Sequence, residues 1–160
     1  MTIANRATIA DPAGAISPDV SLDVHPIRAI ISAIEAAYHA KDAAAIARHY
    51  APDAVIADLA PPLCRRGLDV SATQAWLDGW DGPIEITTHE LEIHVDGNFA
   101  LCHGLLHARV RTRSGEQEAW WSRITVALAR TPSGWRIIRE HSLVPFHMDG
   151  SLRATIDLEP

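Results

Sequence analysis

Residues 90–99 read Glu-Leu-Glu-Ile-His-Val-Asp-Gly-Asn-Phe. Leu91, Ile93 and Val95 alternate with Glu90, Glu92 and His94, the period-two pattern of a strand with one buried face. Asp96-Gly97-Asn98 then supplies the turn chemistry of a hairpin. Working outward, the spacing predicts a long strand from about Phe99 to Thr112, turned back at Ser114-Gly115. Another covers Glu118 to Arg130. Thr131-Pro132-Ser133-Gly134 turns the chain again, and a last strand runs from Trp135 to about His147.

Upstream the period changes to that of helices. Ile27, Ile30, Ile31, Ile34 and Tyr38 follow the spacing of an amphipathic helix, and Pro26 suits its first turn. Asp42 reads as the N-cap of a short second helix with Ala43, Ile46, Ala47 and Tyr50 on its apolar face, ended by Pro52. A third helix is expected from the N-cap Asp69 to Trp80, burying Thr73, Trp76, Leu77 and Trp80, with Gly79 and Gly82-Pro83 stopping it. Residues 1–25 show no sustained period and read as a poorly ordered or docking arm. Residues 26–147 read as one α+β domain with helices against one face of an antiparallel meander, and 148–160 as a tail.

The chain has 160 residues, of which 48% are apolar and 21% charged, enough for one domain with a real core. A net charge of −6 argues against nucleic-acid binding, which needs concentrated basic charge. No apolar run approaches the roughly 20 residues of a membrane helix. Cys64 and Cys102 make neither a disulfide framework nor a zinc knuckle. No Gly-rich phosphate loop or Walker lysine is present. These features predict a cytoplasmic protein with no cofactor.

The order of elements, with Tyr50-Ala-Pro-Asp-Ala-Val-Ile-Ala-Asp58 following two helices, resembles the nuclear-transport-factor-2-like superfamily, specifically its SnoaL-like and ketosteroid-isomerase-like branch. Trp121-Ser-Arg-Ile-Thr125 and Trp135-Arg-Ile-Ile-Arg-Glu-His-Ser142 carry the same resemblance, which covers about Pro26 to Phe146. It implies a cone-shaped, strongly curved sheet wrapped around three N-terminal helices, a cystatin-like arrangement. It also implies an apolar pocket at the open end and a homodimer through the outer sheet face. The superfamily serves isomerases, cyclases, dehydratases, hydrolases and non-catalytic binding domains, so fold alone does not settle activity.

Asp53-Ala54-Val55-Ile56-Ala57-Asp58 matches the steroid-isomerase stretch that ends in a proton-moving carboxylate. The resemblance thus makes Asp58 a candidate catalytic base, because a carboxylate at the mouth of an apolar pocket is poorly solvated and more basic. The plain alternative is a solvated turn residue before Pro61-Pro62. Steroid isomerases add a tyrosine and a protonated acid as hydrogen-bond donors. Those positions fall here on Ile34 and near Thr125 or Ala127. Tyr38, one turn after Ile34, is either a partial substitute or a core residue.

Alternation puts Trp121, Arg123 and Thr125 on one face of their strand. If that face lines the pocket, Arg123 is a candidate to hold an enolate oxygen or to pair with Asp58; otherwise it is an exposed strand arginine stacked on tryptophan. On the last strand, the inward set by comparison is Ile138, Glu140, Ser142 and Val144. A single bulge would turn His141 inward instead, as a general acid or base. Tyr50, Trp76, Leu77 and Trp80 are candidate pocket walls or core packing, with Trp121 and Glu140 as further binding candidates. His103 and His107 have a chelating spacing only on a helix; on a strand they stand about 13 Å apart, so no metal is expected. Two readings follow. One is a cofactor-independent isomerase, cyclase, dehydratase or hydrolase acting on a small apolar or cyclic molecule through Asp58, with Arg123 or His141. The other is a non-catalytic ligand-binding or oligomerisation module.

Overall fold

The computed structural model describes residues 21–160. Its elements are α1 (Ser21–His39), α2 (Ala43–Ala47), β1 (Tyr50–Ala57), β2 (Arg65–Arg66), α3 (Val70–Asp78), β3 (Glu85–Asp96), β4 (Phe99–Arg111), β5 (Gln117–Thr131) and β6 (Gly134–Leu143). The expected arm falls on residues 1–20, outside the described residues, except for its last part. That part is helical: α1 has begun by Ser21, and Pro26 lies inside it rather than in its first turn. Only one backbone bond is forgone at Pro26, because the donors of the preceding turn lack intrahelical partners in any helix.

The caps form where the short polar residues predict them. Asp42 accepts from the Ala45 N–H at 2.8 Å, and Asp69 from the Ala72 N–H at 3.0 Å. Gln74 ties α3 to α2, accepting from the Ala43 N–H at 3.1 Å and donating to the Lys41 carbonyl at 2.9 Å. Of the four residues expected to be buried by α3, Leu77 is fully so, Thr73 and Trp80 are half-buried, and Trp76 is 43% exposed. A nine-residue helix covers only a narrow stripe of core, and Trp76 stands at its margin.

The six strands form one curved, unclosed sheet in the order β2-β1-β6-β5-β4-β3. The meander β3 to β6 is antiparallel, while β1 runs parallel to β6 and extends the sheet. Alternation decides the faces. On β4, Ala100, Cys102, Ala108 and Val110 are buried, while Phe99, Leu101, His103 and Arg109 between them are exposed. The helices cover the buried face. Ile27 of α1 packs there with Cys102, Val126, Leu128, Trp135 and Ile137, and a second cluster joins Ala37, Ala43, Ile46, Leu77, Ile84 and Val110.

Two irregularities in the meander shift the alternation, and a third interrupts the β1–β6 pairing between Tyr50 and Val55. In β3 the register slips between His89 and Glu92, and Glu90 adopts a positive φ of 51°. Gly104 lies opposite, where a Cβ would stand 2.9 Å from the His89 carbonyl oxygen. In β6, Leu128 pairs with Ile137 but Ala127 pairs with Arg139, leaving Ile138 as the extra residue. Trp135 and Ile137 therefore face the core before the bulge, and Glu140 and Ser142 face it afterwards.

Candidate functional site

The register builds a row of inward positions across four strands. Val126 of β5 pairs with Glu140 of β6, Glu140 with Ile56 of β1, and Ile56 with Arg65 of β2. Neighbouring strands lie about 4.8 Å apart, so Glu140 and Arg65 share one face across a single intervening strand. Asp58 follows Ile56 by two residues. Its Oδ2 receives the Arg65 Nη2 at 2.5 Å, and its Oδ1 accepts from the Ala60 N–H at 3.1 Å.

Tyr50, at the start of β1, packs against both hydrophobic clusters and donates its hydroxyl to Glu140 Oε2. Burial is the main influence pushing the Glu140 carboxyl above the usual carboxylate range. The Asp58 charge adds to it, and the hydrogen bonds from Tyr50 and Ser142 and the Arg65 cation oppose it. The Tyr50 and Tyr38 phenols are raised, first by burial and then by the Glu140 charge, so both remain hydrogen-bond donors at neutral pH. Arg65 is raised by its bond to Asp58. Tyr38 meets Trp76 edge-on at 6.5 Å, and Trp76 meets Trp80 at 6.0 Å. The exposed Trp76 thus links Trp80 and Tyr38 through edge-on contacts.

The structure brings Tyr38, Tyr50, Asp58 and Glu140 together, with Trp76 and Trp80 beside them. Arg123, Trp121 and His141 are elsewhere. Arg123 is exposed on the opposite face of β5, because Ser122, Val126 and Leu128 take the inward positions. Trp121 on that outer face stacks on His107 at 4.4 Å and meets His89 at 4.8 Å. His141 is exposed and pairs with Thr125. The β6 bulge exists, but it sits at Ile138, and from there the alternation turns Glu140 inward and His141 outward.

Arg65 is the member that sequence reasoning missed. It follows a loop containing Pro61-Pro62 and sits in a two-residue strand, too short to show a period. Two cavities border residues other than Tyr50, Trp76, Leu77 and Trp80. One of about 160 Å³ is bordered by Leu105, Trp121 and Arg123, and one of about 660 Å³ by Asp81, Glu85, Arg109 and Arg111. Among the described residues no group of three His, Cys, Asp or Glu side chains is placed to hold a metal ion, and no helix is long and apolar enough to cross a membrane.

Residues 27–147 match the model of the SnoaL-like domain. A nuclear-transport-factor-2-like protein from Pseudomonas putida KT2440 superposes with a TM-score of 0.74 at 28% identity, covering 85% of this chain and 95% of that one. A cystatin-like member from Novosphingobium aromaticivorans has a TM-score of 0.63 at 24% identity, covering 86% and 90%. A Streptomyces avermitilis protein described as a candidate dehydratase of this family has a TM-score of 0.65 at 17% identity, covering 75% and 94%. No curated protein matches the chain significantly. The match over most of the chain and the shared fold agree: this protein belongs to the SnoaL-like domain family of the nuclear-transport-factor-2-like superfamily.

Proposed function

We propose that the chain binds a small apolar or cyclic molecule against the Tyr38–Tyr50–Glu140 cluster and moves a proton on it without a cofactor. One observation carries this reading: a half-buried carboxyl, Glu140, bonded by a tyrosine hydroxyl, lies near a second carboxylate held in an ion pair. Two carboxyl groups in such unlike surroundings divide naturally into an acid and a base. Glu140, whose hold on its proton is strengthened by its surroundings, donates to an oxygen of the ligand. Asp58, oriented by Arg65, receives the proton from carbon. Tyr38 offers its hydroxyl to the developing oxyanion, the help that a carbon acid needs, while the Tyr50 hydroxyl, given to Glu140, holds that acid in place. Trp76 and Trp80 supply flat apolar surface for a ring.

The test is deuterium uptake at the α-carbons of a panel of cyclic ketones in heavy water, followed by proton NMR. The protein is expected to accelerate uptake on at least one ketone. Glu140→Gln and Asp58→Asn should each lower that rate about 100-fold or more with folding intact by circular dichroism. Uptake at the buffer rate across the panel would favour the alternative, a non-catalytic module. That alternative has its own support in the outer sheet face, where Phe99 and Leu101 are exposed near one end of β4 and the Trp121–His107–His89 ring cluster lies toward the other. In either reading we place a homodimer contact on this face, since apolar and aromatic side chains on an exposed sheet favour burial against a second copy.

A further inference from the structure

The residues after β6 fold back on themselves. Phe146 and Ala154 form an antiparallel bridge, the His147 N–H donates to the Arg153 carbonyl at 2.8 Å, and Thr155 gives both its N–H and its hydroxyl to the Pro145 carbonyl, at 2.9 and 2.8 Å. These bonds run within the segment and hold it in shape. Its last residues reach the outer sheet face, where Leu158 and Pro160, with Pro145, border Leu105, Trp121 and Arg123 around the cavity of about 160 Å³. On β4 the outward Leu105 and His107 are half-buried there, while Phe99, Leu101 and His103 beyond them are exposed. The part of the face around Phe99 and Leu101 stays open.

The segment turns apolar side chains to solvent. Phe146, Met148, Leu152, Ile156 and Leu158 are five of the eleven exposed large hydrophobics among the described residues, and Met148 is 89% exposed. Such a concentration in one short stretch marks a contact surface rather than scattered exposure. Among them stand the acids Asp149, Asp157 and Glu159, against the one basic side chain of fixed charge, Arg153.

The open part of the sheet offers the complement. Two rows cross it from β4 through β5 to β6: Phe99, Ala129 and Arg136, then Leu101, Ala127 and Arg139. Each row sets an exposed apolar side chain, a small floor residue and an arginine side by side. Among the described residues neither arginine has an acid within ion-pairing distance; the acids Glu92 and Asp96 of β3 stand at the sheet edge. The chain's own segment is seated elsewhere, over Leu105 and Trp121. A net charge of −6 disfavours a lipid surface, whose cytoplasmic headgroups are anionic.

We propose that Phe146–Glu159 is the docking element of the homodimer: each copy lays its segment across the Phe99–Arg136 and Leu101–Arg139 rows of the other. This rests on the outer-face contact placed above and names what forms it. Each copy gives one segment and receives one, so the contact is reciprocal about a two-fold axis. Large apolar side chains offer on the order of 100 Å² each, so the five with Phe99 and Leu101 approach the roughly 800 Å² that one partner gives to a standard interface.

Sedimentation velocity at several concentrations tests this with two variants at exposed positions, each checked for folding by circular dichroism. The segment variant, Met148→Ser with Leu152→Ser and Ile156→Ser, should raise the dimer dissociation constant about ten-fold or more. The face variant, Leu101→Ser with Arg139→Glu, should do the same. Mixed in equal amounts, the two should associate more tightly than either alone, because one intact segment then meets one intact face. A wild-type dimer that the segment variant leaves unchanged, or a mixture no tighter than its components, would overturn the proposal while leaving the outer-face contact standing. A wild-type chain monomeric throughout would remove that contact and the segment's role with it, and its flotation with phosphatidylcholine vesicles would give the segment to lipid instead.

Discussion

Glu140 carries the most consequential side chain in the molecule, because it is half-buried beside Tyr50 and close to the charge of Asp58. Its pKa is raised in the folded chain, chiefly by burial. A carboxyl raised on folding contributes its stability fully below its unfolded pKa, near 4.3, and that contribution is lost as pH rises through the folded value. Glu140→Gln removes this titration. Relative to the wild type, the variant should therefore gain melting temperature as pH rises above about 4.3, levelling off once the folded carboxyl has ionised, by parallel thermal melts; a difference independent of pH would show that Glu140 does not titrate abnormally. Tyr50 and Glu140 were both legible as candidates from local phrases, and so was Asp58. Their mutual contact was not, because it joins residues ninety positions apart.

At the scale of elements, the β6 bulge decides which side chains meet at the candidate site. A strand's period is two, so one extra residue exchanges every side chain between faces. Arg123 has no bulge upstream on its strand to turn it inward, and Ile138 turns Glu140 inward at the expense of His141. The β3 bulge needs Gly104 opposite it, since a Cβ there would press on the His89 backbone rather than on a side chain able to move. Gly104→Ala should cost about 1–3 kcal/mol, measured by urea denaturation. Unchanged stability would mean that the β3 bulge absorbs the methyl group without strain. The caps at Asp42 and Asp69 are the reverse case, where three neighbouring residues contain the whole interaction and the sequence announces it.

For the whole molecule, the sheet separates two surfaces of different composition. Its inner face holds the two hydrophobic clusters with Tyr50 between them, and its outer face carries rings, imidazoles and the exposed Arg123. If a second copy docks on the outer face, a charge reversal at Arg123 near the middle of that face should weaken association. Arg123→Glu is expected to raise the dimer dissociation constant about ten-fold or more, read by sedimentation velocity at several concentrations. A wild-type chain that sediments as a monomer throughout would reject the contact, and with it this use of the outer face.

Hydrophobic period, capping residues and turn chemistry, all short-range properties, determined the presence of three helices, the four long strands and the α+β class from the chain alone. The second helix nonetheless ends at Ala47, and Tyr50, expected on its apolar face, opens β1. The tertiary structure decided what those properties do not encode: the parallel seat of β1 beside β6, the bulge at Ile138 and the arrival of Arg65 at Asp58. Each depends on pairing between distant segments, where a shift of one residue costs little locally yet changes which groups share the buried face.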